Sequence, residues 1–190
     1  MKYFKLAVRG SADEKLACIA TEPTELGIKD YCMAQGERIG DDYPDQVTMR
    51  LDDYPGFKLC SLLGNILSYL IVDTVMKVCI EKSSIGEIEF LPFTLLNHKG
   101  IVHSTDYWII NPIGSVDVLD MEKSQFRRGR RTGEIVGISE VVFNKDKLKN
   151  APDLFRVPQE LPAYYISENL ASCWKEEKCS NIFLSEISVS

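Results

Sequence analysis

The chain contains the same strand-helix-strand pattern twice, at a constant offset of 94 residues and without a gap. In each copy an apolar stretch precedes a polar residue that can start a helix, and an amphipathic run and an alternating strand follow. The aligned pairs are Val72 with Ile166, Asp73 with Ser167, Met76 with Leu170, Cys79 with Cys173, Ile88 with Ile182 and Phe90 with Leu184. Two such units require two helices packed on sheet, which excludes an all-helical or an all-strand fold.

The polar residue at the head of each helix is Asp73 in the first copy and Ser167 in the second. Both side chains can accept a hydrogen bond from the first turn, so both are predicted N-caps. One apolar stripe follows each cap, formed by Val75, Met76, Cys79 and Ile80 in the first copy and by Leu170, Cys173 and Trp174 in the second. Pro92 predicts that the strand after the first helix ends there or lies at an edge. The repeats span residues 66–92 and 160–188.

Other segments are rich in apolar, β-branched and aromatic residues and are bounded by turn residues, which predicts strands. They are residues 2–9, 16–20, 47–51, 106–111, 115–119 and 135–143. Strands outnumber helices, so the predicted class is α+β, with a mainly antiparallel sheet and two short helices from the duplicated unit. The alternative is a tandem β-α-β doubling with one parallel strand pair per repeat. We expect one domain over residues 1–190, with N-terminal strands and acidic loops in 1–60 and the repeats in 61–190.

The charge balance and the cysteines restrict the class of protein. The net charge is −6 and the isoelectric point is about 5.1, which argues against a general nucleic-acid binder because such proteins need a basic face. An acidic chain suits a basic partner. The longest apolar run, Ile66–Val72, is too short to cross a bilayer, and no export signal follows Met1. We therefore expect a cytoplasmic protein whose six cysteines are reduced and mostly buried.

Residues suited to catalysis are few. The two histidines, His98 and His103, lie on either side of Gly100, which indicates a turn. No phosphate-binding, serine-hydrolase or zinc-protease motif occurs, so we expect no catalytic residue, no cofactor and no metal ion. The alternative is a small cytoplasmic hydrolase or transferase with a non-standard site built from Cys60, a histidine and an acid such as Asp106.

The tetrapeptide Asp-Asp-Tyr-Pro occurs twice, at residues 41–44 and 52–55. Proline keeps the preceding tyrosine extended, so each copy should form an acidic loop that presents one aromatic ring. Tyrosine beside carboxylates is typical of contacts with a basic protein. The hypothetical partner-binding residues are Asp41, Asp42, Tyr43, Asp45, Asp52, Asp53 and Tyr54. The alternative is two ordinary turns whose tyrosines cover the edge of the sheet.

A second charged feature is Arg127-Arg128-Gly129-Arg130-Arg131. Four arginines around a glycine could bind a phosphate or an acidic partner surface. The alternative is a solvated hairpin tip or loop without a partner. The run is too short, on an acidic chain, to predict a nucleic-acid binder.

Several motifs between residues 60 and 188 occur in an order found in one known family. Val116-Asp117-Val118-Leu119-Asp120 and Ser124 follow the aromatic strand 107–111, and Leu154-Phe155-Arg156 precedes the helix start Tyr165-Ile166-Ser167-Glu168. Taken together, they resemble the immunity-protein family numbered eleven in catalogues of bacterial polymorphic toxin systems, formerly classed as a domain of unknown function. The N-terminal third of the chain matches this pattern only loosely.

The resemblance implies a small intracellular protein that is encoded beside a toxin and neutralises it by occlusion, without a catalytic residue. The partner would be a cognate protein toxin, and a basic one if the acidic loops face it. The residues that match the family pattern are Asp117, Asp120, Ser124, Phe155 and Arg156. We expect these to hold the fold, with Arg156 in an ion pair with Asp117 or Asp120. A third reading is an oligomeric scaffold that uses the sheet edge.

Overall fold

The computed structural model describes residues 1–9, 13–53, 56–83 and 85–190. Its strands are β1 (Tyr3–Leu6), β2 (Cys18–Ile19), β3 (Thr48–Arg50), β4 (Gly64–Asn65), β5 (Leu70–Asp73), β6 (Ile88–Leu96), β7 (Val102–Pro112), β8 (Gln125–Arg128), β9 (Ile135–Glu140), β10 (Val142–Phe143), β11 (Leu154–Val157), β12 (Glu160–Ser167) and β13 (Leu184–Val189). Its α-helices are α1 (Cys32–Gln35), α2 (Thr74–Ser83) and α3 (Glu168–Glu176). Short 3-10 helices span Thr24–Lys29, Gly40–Asp42 and Lys147–Asn150.

Two larger sheets form the frame of the molecule. One has the strand order β10-β13-β1-β12-β11 and the other the order β3-β6-β7-β5. Two smaller sheets pair β2 with β4 and β8 with β9. Most pairings are antiparallel, and the parallel ones are β10 with β13, β2 with β4 and β3 with β6. The predicted α+β class with a mainly antiparallel sheet is confirmed.

Each larger sheet contains one strand-helix-strand segment. The first is β5-α2-β6 and the second is β12-α3-β13. In each segment the two strands are antiparallel to one central strand, which is β7 in the first and β1 in the second. The two strands of each segment are therefore parallel to each other but not hydrogen-bonded together. The alternative with a directly paired parallel strand in each repeat is wrong, because a third strand occupies the position between them.

The helices begin at the predicted caps. The Asp73 carboxylate accepts a hydrogen bond from the Met76 amide at 2.9 Å, and the Ser167 hydroxyl accepts one from the Leu170 amide at 3.3 Å. Each cap satisfies a backbone donor that would otherwise lack a partner in the first turn. The position of both helices is thus fixed by local sequence at the end of a buried strand.

The helices α2 and α3 pack against each other over a shared apolar core. Trp174 is buried there, and its indole nitrogen donates to the Met76 carbonyl at 3.3 Å. Cys79 and Cys173 form a disulfide with their Cα atoms 6.0 Å apart. The prediction that all six cysteines are reduced is therefore wrong for this pair, because the apolar stripes that carry the two sulfurs face each other.

One local prediction is wrong, and another is resolved between its two possibilities. Residues 115–119 form no strand, since most of their backbone runs as a connection beside β11 and only Leu119 makes an isolated bridge, to Phe143. The strand after α2 continues past Pro92 to Leu96, so of the two possibilities predicted for Pro92, a strand end and an edge position, the structure has the edge position. Proline is tolerated there because β3 pairs with β6 only over residues 94–96, so the missing amide breaks no ladder.

None of the helices in the described ranges has the length and apolar character needed to cross a membrane.

Candidate functional site

The residues proposed for a catalytic site are not assembled into one. Both histidines are exposed, and His103 contacts the Phe57 carbonyl at 3.3 Å. Cys60 is buried, its thiol donates to the Leu62 carbonyl at 3.0 Å, and burial raises its pKa to about 11. A thiol with that pKa is neutral near pH 7 and is a poor nucleophile. The depression beside Cys60, about 280 Å³, is lined by Asp106 and not by either histidine.

Metal ligands are not clustered either. The described part of the chain holds no group of three or more His, Cys, Asp or Glu side chains that could bind a metal ion. The geometry therefore does not favour the alternative of a Cys/His hydrolase or transferase.

The first acidic loop is held to the four-stranded sheet by one buried carboxylate. Glu89 on β6 accepts hydrogen bonds from the Ile39 amide at 3.1 Å and the Gly40 amide at 2.7 Å. Asn111 on β7 donates to the same carboxylate at 3.0 Å. This anchor ends just before the loop, so Asp41 and the residues that follow project from a fixed base.

Within that loop the tyrosine and the aspartates lie in different surroundings. The Tyr43 ring packs against the apolar core, and its hydroxyl donates to the Pro92 carbonyl at 2.8 Å. Burial raises the pKa of Tyr43 well above its usual value. Asp41, Asp42 and Asp45 are exposed, and Asp42 pairs with Lys29 at 2.5 Å. The three carboxylates thus face solvent, with Asp42 already in an ion pair, while Tyr43 is in contact with its own fold.

The second acidic loop lies at the other end of β3. Asp52 and Asp53 are exposed, and Asp53 pairs with Arg50 at 3.3 Å. Tyr54 lies outside the described residues. The described aspartates of the two loops therefore lie on either side of one short edge strand in the sequence.

The first loop belongs to a longer acidic stretch of the chain that the Asp-Asp-Tyr-Pro motif does not reveal. Residues 22–45, called here the acidic segment, contain two basic residues, Lys29 and Arg38, against seven acidic ones, namely Glu22, Glu25, Asp30, Glu37, Asp41, Asp42 and Asp45. Its net charge is −5. Glu25 accepts from the Thr48 hydroxyl at 2.6 Å, which ties the 3-10 helix 24–29 to β3. In the sequence, only the local excess of acidic over basic residues indicates this segment.

Two large side chains are exposed in the middle of the acidic segment. Ile28 is 87% exposed and Tyr31 is 52% exposed. Tyr31 adjoins Glu37, whose charge raises the pKa of the Tyr31 hydroxyl. Exposed apolar and aromatic side chains with a charged rim are the composition of a protein-contact surface.

Arg156 is not in the ion pair predicted for it. Its side chain is fully buried on β11, and its guanidinium donates to backbone carbonyls and to the hydroxyl of Tyr164 at 2.8 Å. The carbonyls belong to Met33 at 2.7 Å, Ala34 at 3.0 Å, Pro112 at 3.3 Å and Leu161. The predicted carboxylates lie elsewhere because the connection 115–124 turns them outward. Arg156 instead joins the acidic segment to the core.

Of the two candidate aspartates, Asp117 is exposed and Asp120 is partly buried. Asp117 pairs with Lys147 at 2.9 Å. Asp120 accepts from the amides of Glu122 and Lys123, each at 3.0 Å, and from the Ser190 hydroxyl at 2.8 Å. The hydrogen bond from Ser190 is the main reason why the pKa of Asp120 lies below its usual value.

Ser124 and Phe155 are both buried. The Ser124 hydroxyl donates to the Val142 carbonyl and accepts from the Val142 amide, each at 3.0 Å. Phe155 stacks on Tyr165 with ring centroids 6.0 Å apart. These contacts lie under the five-stranded sheet, away from a surface that a partner could reach.

The four arginines lie on a two-stranded hairpin, called here the arginine hairpin, made of β8, β9 and the turn 129–134. All four side chains are exposed. The Arg128 guanidinium donates to the Gly133 carbonyl at 2.9 Å. Arg127 lies flat against Gly137, where a Cβ atom would stand only 2.6 Å from a guanidinium nitrogen.

The described residues thus include an acidic segment and an arginine hairpin with exposed side chains, and they contain no cluster of metal ligands. The sequence pattern of the Immunity protein family (Imm11) matches residues 2–189, and the chain belongs to that family. The match also covers the N-terminal third, where the motifs described above match only loosely. No curated protein matches the chain at a significant level.

Proposed function

We propose that this protein binds one cognate protein toxin in a stoichiometric complex and neutralises it by covering a surface that the toxin needs. Membership of an immunity-protein family supports a toxin as the partner. The proposal further places the protein in the bacterial cytoplasm as a single domain over residues 1–190. Occlusion of a partner requires no reacting group, which agrees with a buried, neutral Cys60 and two exposed histidines.

The acidic segment is the proposed toxin-binding surface, and its net charge of −5 is the observation that carries this assignment. A basic toxin surface, such as the substrate groove of a nuclease, would be attracted over several ångströms before contact. Ile28 and Tyr31 would then exclude water at the centre, where binding energy is concentrated. Asp41, Asp42 and Asp45 would form part of the charged rim, and Asp52, Asp53 and Tyr54, which follow β3 in the sequence, are further proposed contacts.

Co-expression with the toxin encoded by the neighbouring gene tests the proposal. We expect cells that carry both genes to grow and the two proteins to elute together at a 1:1 ratio from a sizing column. Cells with the toxin and an empty vector should not grow. Absence of a complex together with absence of growth rescue would reject toxin neutralisation.

A further inference from the structure

The arginine hairpin is a strongly basic projection on an acidic protein. Residues 123–133 contain five basic side chains and no acidic one, whereas the whole chain has a net charge of −6. Among the described residues, none of the four hairpin arginines forms an ion pair. Arg130 and Arg131 also make no hydrogen bond there. Four unpaired guanidinium groups are therefore available to an acidic surface.

The hairpin presents these arginines on an ordered support. Phe126 and Ile138 pack into the core beneath the five-stranded sheet. The turn is closed by hydrogen bonds from the Gly129 amide to the Glu134 carbonyl and from the Gly133 amide to the Gly129 carbonyl, each at 2.9 Å. Because the support is already folded, only the side chains would lose freedom when a partner binds.

The hairpin and the acidic segment are attached to opposite edges of the five-stranded sheet. β9 leads directly into β10, the outer strand at one edge. The acidic segment is held at the other edge, where Arg156 of β11 binds the carbonyls of Met33 and Ala34. Four inter-strand spacings separate the two edges, about 19 Å. That distance exceeds the screening length of about 8 Å in physiological salt, so the two charges do not neutralise each other within one molecule.

We propose that the arginine hairpin of one molecule binds the acidic segment of a second copy. A second copy is a partner of complementary charge, because its acidic segment has a net charge of −5 and the hairpin has four arginines without an ion-pair partner. Because the two surfaces lie at opposite edges, two copies in antiparallel orientation make the contact twice and close into a two-fold dimer.

Such a dimer would be moderate in affinity and sensitive to salt. Exposed ion pairs contribute little one at a time, and a set of guanidinium-carboxylate contacts on ordered supports contributes more. The dimer covers the surface assigned above to the toxin, so toxin and second copy would compete for it. The inference itself does not rest on the toxin, because the test below contains no toxin.

Sedimentation velocity of the intact protein, from about 10 to 300 μM, tests the inference at about 20, 150 and 500 mM NaCl. We expect the mass to approach twice the 21.5 kDa of the chain at the two lower salt concentrations and to return to that of the monomer at the highest. The double variant Arg130→Glu, Arg131→Glu should raise the dimer dissociation constant at least tenfold. The control variant Lys99→Glu, Lys145→Glu makes the same charge change at exposed positions elsewhere and should leave it unchanged.

A charge-swap experiment separates the proposed contact from a general effect of net charge. The variant Asp41→Arg, Asp42→Arg should also be monomeric. Mixed with the Arg130→Glu, Arg131→Glu variant, it should form a mixed dimer. One contact then has the wild-type charges, and the other is restored with the charges reversed.

Three outcomes would overturn the inference. They are a monomeric wild type at about 150 mM NaCl over the whole concentration range, a hairpin variant that dimerises like the wild type, and a mixture that shows no mixed dimer. Binding of a labelled single-stranded RNA by the wild type but not by the hairpin variant, without dimerisation, would assign the hairpin to nucleic acid instead. A negative dimer result would leave toxin neutralisation standing, because growth rescue is measured separately.

Discussion

Arg156 shows how one residue can organise a molecule without contacting a partner. Its guanidinium is fully buried and has oxygen acceptors on three separate parts of the chain, namely the acidic segment, the end of β7 and β12. It also lies over the Tyr164 ring at 4.2 Å. Carbonyls and a hydroxyl satisfy the donors, so the charge is solvated by the protein in place of water.

Replacement of Arg156 by methionine should destabilise the protein by about 3–5 kcal/mol, because several buried carbonyls lose their donor at once. Replacement by lysine should also be costly, since an ammonium cannot match the planar guanidinium geometry. Urea unfolding followed by circular dichroism measures both. The exposed Arg131→Met is the control, with an expected change within about 0.5 kcal/mol. A loss below about 1 kcal/mol for Arg156→Met would contradict the role given to this side chain.

At the scale of elements, the packing of α2 on α3 links the two strand-helix-strand segments. Each helix follows directly from a buried strand and faces the other across one apolar core. The disulfide between Cys79 and Cys173 closes a loop of 94 residues. The two helices follow strands of different sheets, so the disulfide restrains the position of one sheet relative to the other.

Loss of this disulfide should lower the free energy of unfolding by about 4–5 kcal/mol, because a cross-link over so long a loop removes much of the freedom of the unfolded chain. We expect this for the variant Cys79→Ser, Cys173→Ser and for the wild type in reducing buffer. The control variant Cys18→Ser removes a free thiol and keeps the disulfide. Reductant should therefore lower its free energy of unfolding as much as it does for the wild type. Equal urea midpoints for oxidised and reduced wild type would show that the bond does not contribute.

At the scale of the whole molecule, charge is separated between two edges of one sheet. The acidic segment has a net charge of −5, and the arginine hairpin carries positive charge without an ion-pair partner at the far edge. This separation of charge does not alter the packing of the core. It affects association with a partner, because long-range attraction sets the rate of encounter.

The triple variant Asp41→Asn, Asp42→Asn, Asp45→Asn should slow association with the toxin about tenfold at low salt, because three attractive charges are lost. The slope of the association rate against salt concentration should also decrease. Surface plasmon resonance with immobilised toxin measures both quantities. The matched control Glu122→Gln, Asp146→Asn, Glu176→Gln removes three exposed charges elsewhere, and its association rate should differ by less than about twofold.

An unchanged association rate for the first variant would move the toxin-binding surface away from the first acidic loop. The pair Asp52→Asn, Asp53→Asn then tests the other end of β3. If both variants associate at the wild-type rate, the acidic loops do not take part in recognition.

Local sequence was sufficient wherever the determining contacts lie within a few residues. The caps at Asp73 and Ser167 need only a hydrogen bond to an amide three positions along the chain, so spacing and residue type predict them. The class α+β follows from the periods of the apolar residues in the same way. The acidic loops could be recognised from their composition. The attachment of the first loop to Glu89 could not, because that carboxylate lies about fifty positions away along the chain.

The sequence by itself determined the two capped helices and most of the strands, because backbone hydrogen bonding and side-chain periodicity are local properties. Only the tertiary structure decided that β1 and β7 separate the strands of the two segments, that Cys79 meets Cys173 and that Arg156 binds carbonyls in place of a carboxylate. Those outcomes depend on which surfaces, distant in sequence, pack together to bury apolar area. Such pairings produce no periodic pattern in the sequence from which they could be predicted.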